Sequence, residues 1–486
     1  MLYLKGSLKG ETNFDLRKIF PENCALAAAV NIESASYRVF QCLLHQEHRG
    51  ESAVGIISKR GRNFFQKRRI GSVSTQFSKY KQDAFNDGLP GRIAIGHNRY
   101  PTQGNHLDVA NVQPLIIEKS KYGSFAIAHN GTLVNVRKIE DMLLEKGAVF
   151  QSTTDTELLV HLIANSGKKT IDEAIIYALT QVEAAYSLLI LTEEKLYAIR
   201  DRFGVRPLSV AKCDKGYLVC SETIAFDQFP QAKFLFDVPP GEMIIFRKGK
   251  KDFTRLKYAE PDECFCIFEG IYFSNPRTLY HGCYHEDFRK ETGRQIALEN
   301  PHIKGEVVIP ILDSGKHAAI GLARELKIPY DEIFQRTHSY KILQSRSFTA
   351  PTFEERKRIV EQKLHLKKGE VVGKDIIVID DSIVRSTTMK IIVQMLKSAG
   401  AKRVIVCIAS PPITNVCPNG MDYQETSQII AYNKTIEEIR EIIEADELIY
   451  LSLQGLNEVV KRTYNCGICS GCFGGRYPIK PLNKME

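Results

Sequence analysis

Val378-Ile379-Asp380-Asp381-Ser382-Ile383-Val384-Arg385-Ser386-Thr387-Thr388 is the stretch on which the reading of this chain turns. An apolar run enters two adjacent carboxylates, a loop of small hydroxyl residues follows, and a helix then begins. Backbone N–H groups at such a helix start, with the Thr387 and Thr388 hydroxyls, suit a phosphate. Asp380 and Asp381 suit either a hard divalent ion or the hydroxyls of a sugar. The plainer alternative is a capped helix with two solvated aspartates. No GxxxxGK(S/T) or GxGxxG string occurs, which removes support for nucleoside-triphosphatase and dinucleotide readings.

The surroundings repeat the strand–helix pattern. Glu306–Ile311 reads as a buried strand leading into a helix through Arg324. Asp375–Ile379 does the same, with a helix from about Ser386 to Ala399, and Val404–Ile408 is a third strand. Continuous apolar strands alternating with helices predict a parallel sheet covered on both faces. Its ligand belongs at the C-terminal edge of the strands. The first half differs: Arg92–Gly96, Ser124–Ala128, Ser187–Leu191, Leu196–Ile199, Tyr217–Cys220 and Glu242–Phe246 are short β segments bounded by turn residues. Ser36–Leu44 and Thr156–Asn165 carry apolar residues at helical spacing. Many strands with few helices predict stacked sheets with helices outside. The polar, aperiodic stretch Lys250–Pro261 separates the two patterns, giving domains at 24–258 and 259–486.

Composition bounds the function. The chain has 486 residues, 43% hydrophobic and 25% charged, with 66 Lys+Arg against 57 Asp+Glu, a formal charge of +9. That is enough apolar content for sizeable cores. The basic clusters Lys67-Arg68-Arg69 and Arg356-Lys357-Arg358 are short and lack interleaved aromatics, so nucleic acid is not an expected partner. No apolar run reaches the ~20 residues of a membrane helix. Residues 1–20 have no apolar core of a signal peptide, so the expected compartment is the cytoplasm. There the twelve cysteines are thiols, metal ligands or nucleophiles rather than a disulfide framework.

Cys466-x-x-Cys469-x-x-Cys472 has metal-ligand spacing, and Cys266 and Cys417 bring the thiolates to a number that serves zinc or an iron–sulfur cluster. A redox pair or fortuitous spacing are the alternatives. Cys24 opens the small apolar run Cys24–Val30 after a polar leader, and taken alone reads as a buried structural thiol. His48-Arg49-Gly50, His97-Asn98-Arg99-Tyr100, Ala128-His129-Asn130-Gly131 and Thr154-Asp155-Thr156-Glu157 follow it in order.

That order resembles the class II glutamine amidotransferases, and the Asp380–Thr388 loop resembles that of the type I phosphoribosyltransferases. With Ser410–Ile413, Pro240–Met243, Arg206–Ser209 and Ser221–Thr223, nearly all of residues 24–480 is similar to the glutamine phosphoribosylpyrophosphate (PRPP) amidotransferase family, in its propeptide-bearing, iron–sulfur form. The resemblance implies an αββα N-terminal-nucleophile domain followed by a phosphoribosyltransferase α/β domain. It implies a glutaminase whose nucleophile is Cys24, freed by removal of residues 1–23 so that its own α-amine acts as base. Arg99 and Asp155 would hold glutamine's carboxylate and ammonium, and Asn130 and Gly131 the oxyanion. Asp380, Asp381, Ser382, Arg385, Ser386, Thr387 and Thr388 would bind PRPP. Mg2+ would sit by Ser314, Asp380 and Asp381, and a lid segment at Arg346–Leu364 would bring Arg346, Arg356 and Lys363. A [4Fe–4S] cluster would rest on Cys266, Cys417, Cys469 and Cys472, leaving Cys466 an ordinary thiol. Homo-oligomers and purine-nucleotide inhibitors complete the family's expectations. Ala25 and Ser386 stand where that family carries Gly. They motivate a rival expectation, a catalytically impaired paralogue that senses PRPP or nucleotides.

Overall fold

In a computed structural model the chain is described over residues 24–77, 79, 81–100, 108–337, 353–419 and 426–479, without the side chains of 353–356. The expected propeptide 1–23, Arg346 and the side chain of Arg356 therefore lie outside the described residues.

The first half is a sandwich of two antiparallel sheets. One contains β1 (Ala25–Val30), β2 (Ala53–Arg60), β3 (Asn63–Ile70), β4 (Ile93–Arg99), β9 (Ser209–Cys213), β10 (Gly216–Cys220) and β11 (Lys233–Asp237), in the order β11-β9-β10-β1-β4-β2-β3. The other contains β5 (Leu115–Ile117), β6 (Phe125–Leu133), β7 (Ala184–Leu191), β8 (Lys195–Arg200), β12 (Glu242–Arg247) and β13 (Phe253–Lys257), in the order β13-β12-β8-β7-β6-β5. Period-two alternation sorts β1 between two cores. Ala25, Ala27 and Ala29 pack under helix α1 (Ala35–His45), while Leu26, Ala28 and Val30 enter the layer between the sheets. Small side chains are required there. At neighbouring Gly96 an added Cβ would lie 2.5 Å from Val39 of α1. The second sheet's outer face is covered by α2 (Val136–Glu145), α3 (Thr156–Ala164) and α4 (Ile171–Gln181). This is the predicted αββα layering.

The sequence reading took 250–261 for a plain linker, but β13 lies within it and pairs with β12. None of its residues is fully buried, and Arg255 and Lys257 face solvent as edge-strand residues do, so no continuous apolar run marks it.

The second half is a parallel sheet of β14 (Val307–Pro310), β15 (Asp375–Asp380), β16 (Arg403–Ile408) and β17 (Glu447–Tyr450). One face packs on α5 (His285–Glu299), α6 (Lys316–Leu326) and α9 (Leu453–Thr463); the other packs on α7 (Thr387–Ser398) and α8 (Ile436–Ile443). A two-residue parallel ladder, Phe265–Cys266 with Ile468–Cys469, draws the C-terminal segment back to the start of this half.

Candidate active sites

Cys24 is fully buried at the start of β1. The register pairing Ala25 with Asn98, carried one residue further, sets Cys24 opposite Arg99 at the end of β4. His97 crosses the inter-sheet layer to the His129 carbonyl at 3.2 Å, tying β4 to the part of β6 that carries Asn130 and Gly131. Asn130 is fully buried, and neither atom of its amide has a hydrogen-bond partner among the described residues. Gly131 is demanded by packing, since a Cβ would come within 2.1 Å of the Ala185 carbonyl oxygen. Asp155 precedes α3, accepts from Leu133 N at 3.0 Å and lies 3.5 Å from His129 Nδ1. Arg99, Asn130, Gly131 and Asp155 thus come from β4, β6 and the start of α3 around one end of the sandwich. Ala25 faces the α1 core rather than the inter-sheet layer, so its methyl does not enter the layer that holds Asn130.

A buried charge network behind Cys24 escaped the sequence reading. Arg49 donates through Nε to the Cys24 carbonyl at 3.1 Å. It also bonds Glu222 at 2.6 Å and Glu269 at 2.8 and 2.9 Å. Arg206 adds a contact of 3.2 Å to Glu269 and one of 2.6 Å to the Asn419 carbonyl. Burial pushes the Glu222 and Glu269 carboxyls up, but their neighbours outweigh it: contacts with His48 and Arg49 hold Glu222 well below the usual carboxylate range, and Arg49 does the same for Glu269 to a lesser degree. The signal that was available was a single Glu in the apolar run Phe265–Ile271.

The segment that follows Glu269 reaches the second site. Arg289 clamps its backbone, donating to the carbonyls of Gly270, Tyr272 and Ser274 at 2.8, 3.0 and 2.6 Å. Phe273 lies under the Arg49 guanidinium at 4.7 Å and beside Tyr100 at 6.1 Å. Tyr272, half exposed, stands within electrostatic reach of Asp381, Tyr100 and Asp380.

At the C-terminal edge of the parallel sheet, Ser314 donates to Asp380 at 2.9 Å and Ser382 to Asp381 at 2.5 Å. Burial raises both carboxyls above the ordinary range, and for Asp380 the charge of Asp381 adds to it. A buried, mutually repelling carboxylate pair with a hydroxyl beside it suits a divalent cation or a polyol. Ser386 lies immediately before α7 with φ −66° and ψ −13°, an ordinary helical conformation that needs no Gly. Arg385, Thr387 and Thr388 line the same turn into the helix. Lys363 ends the helix Phe353–Lys363, and its carbonyl accepts from Thr337 N at 2.9 Å. Lys363 and Leu364 close the expected lid segment, whose start at Arg346 lies outside the described residues.

Cys266 and Cys469 are paired residues of the short parallel ladder. The Cys472 carbonyl accepts from Thr414 and Asn415, and Tyr477 donates to the Val416 carbonyl, which brings in the Cys417 segment. All four thiols are buried and act electrostatically on the Tyr477 hydroxyl. Among the described residues no three of them converge as closely as single-ion ligands do, and a four-iron cube spreads its thiolates wider than one ion does. Cys466 lies apart, beside Glu263 and His281.

Comparison with known proteins agrees with both halves. A glutamine amidotransferase domain model matches residues 98–228, and a phosphoribosyl transferase domain model matches residues 290–430. The Bacillus subtilis amidophosphoribosyltransferase is 37% identical over 462 residues, covering 94% of this chain and 94% of that protein. The Archaeoglobus fulgidus amidophosphoribosyltransferase is 36% identical over 453 residues, covering 92% of this chain and 95% of the relative. The solved structure of the B. subtilis glutamine PRPP amidotransferase complexed with ADP and GMP superimposes with a TM-score of 0.86 at 35% identity, over 95% of this chain and 98% of that one. With domain order, fold and sequence in agreement along almost its whole length, the chain belongs to the amidophosphoribosyltransferase family.

Proposed function

We propose that the chain makes 5-phosphoribosylamine, glutamate and pyrophosphate from glutamine, PRPP and water, the step that opens purine synthesis. The observation that carries this reading is one segment, Glu269–Ser274, running from one site toward the other: Glu269 bonds the Arg49 that holds the Cys24 carbonyl, and Tyr272 stands within electrostatic reach of Asp380 and Asp381.

Cutting the Asn23–Cys24 bond frees an α-amine, whose ordinary pKa of about 8 lets it take the thiol proton near neutrality. The thiolate attacks the glutamine amide carbon, with Arg99 and Asp155 gripping the amino-acid end. Asn130 and the Gly131 N–H donate to the oxygen that becomes negative. Collapse to the thioester expels ammonia, and water then releases glutamate. In the second site the Ser386–Thr388 helix start and Arg385 bind the 5-phosphate, and the ribose hydroxyls meet Asp380 and Asp381. Ser314, Asp380 and Asp381 would hold Mg2+, which would supply positive charge for a pyrophosphate leaving group. Ammonia attacks C1 of PRPP as pyrophosphate leaves. Lys363, with Arg346 and Arg356, closes over that leaving group. Cys266, Cys417, Cys469 and Cys472 hold a [4Fe–4S] cluster as a structural tie, because neither half-reaction moves electrons.

None of the twelve cysteines is joined in a disulfide, and no described helix is long and apolar enough to cross a membrane. The ADP and GMP bound by the B. subtilis relative support purine nucleotides as ligands, and inhibition by them and homo-oligomeric assembly are what the family resemblance implies.

Phosphoribosylamine formation from glutamine and from ammonium chloride tests the assignment. Cys24→Ala abolishes the glutamine reaction and keeps the ammonium one. Asp380→Asn with Asp381→Asn loses both. If a folded Cys24→Ala protein loses ammonium-dependent synthesis, or the aspartate variant keeps it, the two-site assignment is wrong. Intact mass of the active protein checks the cut, since an active chain retaining residues 1–23 excludes the α-amine as base.

A further inference from the structure

We propose that Glu263, His281 and Cys466 form a zinc site, distinct from the four-cysteine cluster. Their ligand atoms lie within 4.8 Å of one another and come from three separate segments. Glu263 lies just before the Phe265–Cys266 ladder strand. His281 occupies the turn of the small hairpin Leu279–Tyr280 and Cys283–Tyr284. Cys466 follows α9 where the chain turns toward Ile468–Cys469.

The donor set selects the metal. A thiol and an imidazole exclude magnesium and calcium, which take oxygen ligands, and favour zinc. Thiolate and carboxylate together carry two negative charges, which one Zn2+ neutralises. His281 Nε2 is already 3.0 Å from Glu263 Oε1, and tetrahedral zinc spaces such ligand atoms at about 3.3–3.7 Å. Bringing in the thiol from the outer limit of the set therefore asks for about an ångström of side-chain movement. The imidazole and carboxylate are 31% and 27% exposed, leaving the fourth position open to water. An outer layer is present as well. The Tyr280 hydroxyl approaches Glu263 Oε1 at 3.5 Å and accepts from Arg200 at 3.0 Å, which fixes the carboxylate's orientation. His281 and Asn465, the latter next to Cys466, both adopt left-handed backbone, with φ of 47° and 48°. Bound zinc would join the C-terminal segment to the junction between the halves, independently of the cluster site.

The test uses the full chain, stripped with chelator and titrated with zinc, with zinc and iron counted by plasma mass spectrometry. Cys466→Ser and His281→Asn are compared with the unaltered protein; Asn tolerates the left-handed backbone, so that hairpin keeps its shape. The unaltered protein should hold one more tightly bound zinc than either variant, with affinity at least tenfold higher. Co2+ added in place of zinc should give a thiolate charge-transfer band that Cys466→Ser lacks. Zinc held at the four cysteines is common to all samples and cancels. Equal zinc content and equal cobalt spectra in all three proteins would leave an ordinary His–Glu ion pair and overturn the proposal. Iron counted in the same samples reports on the cluster separately, so either assignment fails without the other.

Discussion

Leaving a buried polar group without a partner costs about 1–3 kcal/mol, and among the described residues neither end of the Asn130 amide has one. A group that destabilises the resting protein is accounted for when its partner arrives with the reaction, here the oxyanion. Asn130→Ala should therefore lower the turnover of glutamine hydrolysis about 10²–10³-fold, leave ammonium-dependent synthesis intact and not reduce thermal stability. Steady-state kinetics with each nitrogen source, beside a melting curve, read this out. His97 and His285 make a pH prediction. Burial, the first cause for each, and neighbouring arginines take both from 6.5 to about 3. Both are neutral when folded, so below pH 6.5 the unfolded chain binds more protons and stability falls as pH falls toward 3. At pH 5.5 each should cost about 1 kcal/mol relative to neutrality. Buried Asp201, raised to about 6 by burial, works against them, because its extra folded-state proton favours the folded chain as pH drops through 6. Urea midpoints at pH 7 and 5.5 should still fall in the acid sample, and His97→Gln should shrink the difference. The residues proposed to react could be named from sequence because each sits in a short local string. Arg49 was visible in such a string, but its partners Glu222 and Glu269 are 173 and 220 residues away, and no local pattern encodes a pairing at that distance. Ala25 and Ser386 looked like obstacles for the same reason. Only β alternation places the Ala25 methyl on the α1 side, and only the backbone angles show that Ser386 needs no glycine conformation.

Among the elements, the Glu269–Ser274 segment links the two chemistries, and its charge balance is testable. Arg49 and Arg206 face Glu222 and Glu269 in a fully buried set, two cations against two anions. Glu269→Gln is nearly isosteric but leaves one positive charge uncompensated, which should cost about 3–5 kcal/mol. It should also loosen the Arg49 that holds the Cys24 carbonyl. The expected outcome is a lower urea midpoint together with a smaller stimulation of glutaminase by PRPP, measured as glutamate release with and without PRPP. An unchanged PRPP response in a destabilised protein would make the network purely structural. Elements that bury both faces, such as β7 and β15, declared themselves as apolar runs. The edge strands β3 and β13 did not, because one or both faces meet water and their sequences, Asn63–Ile70 and Phe253–Lys257, are rich in Lys and Arg.

Across the whole molecule, strand–helix alternation was enough to give two halves of different architecture, since that rule acts within thirty or so residues. The closure of the C-terminal segment onto residue 266 was not legible as structure. A two-residue ladder has no periodicity, and only cysteine spacing pointed to it. That closure carries the last prediction. Four thiols from three segments are packed out of water, and burial holds Cys266 well above the ordinary thiol range. In this state they contribute little beyond small apolar contacts. Ligation by the proposed cluster would convert them to thiolates, and metal binding would then become part of the folding free energy of the segment that holds them. Anaerobically purified protein should be brown, with about four irons per chain. Cys469→Ser should abolish colour and iron and expose the segment after α9 to limited proteolysis, while the first domain, whose cores hold none of these cysteines, keeps its own resistance. Cys466→Ser should leave iron and colour unchanged, because that thiol belongs with Glu263 and His281. Iron retained in Cys469→Ser, or lost in Cys466→Ser, would mean that the ligand set has been drawn wrongly.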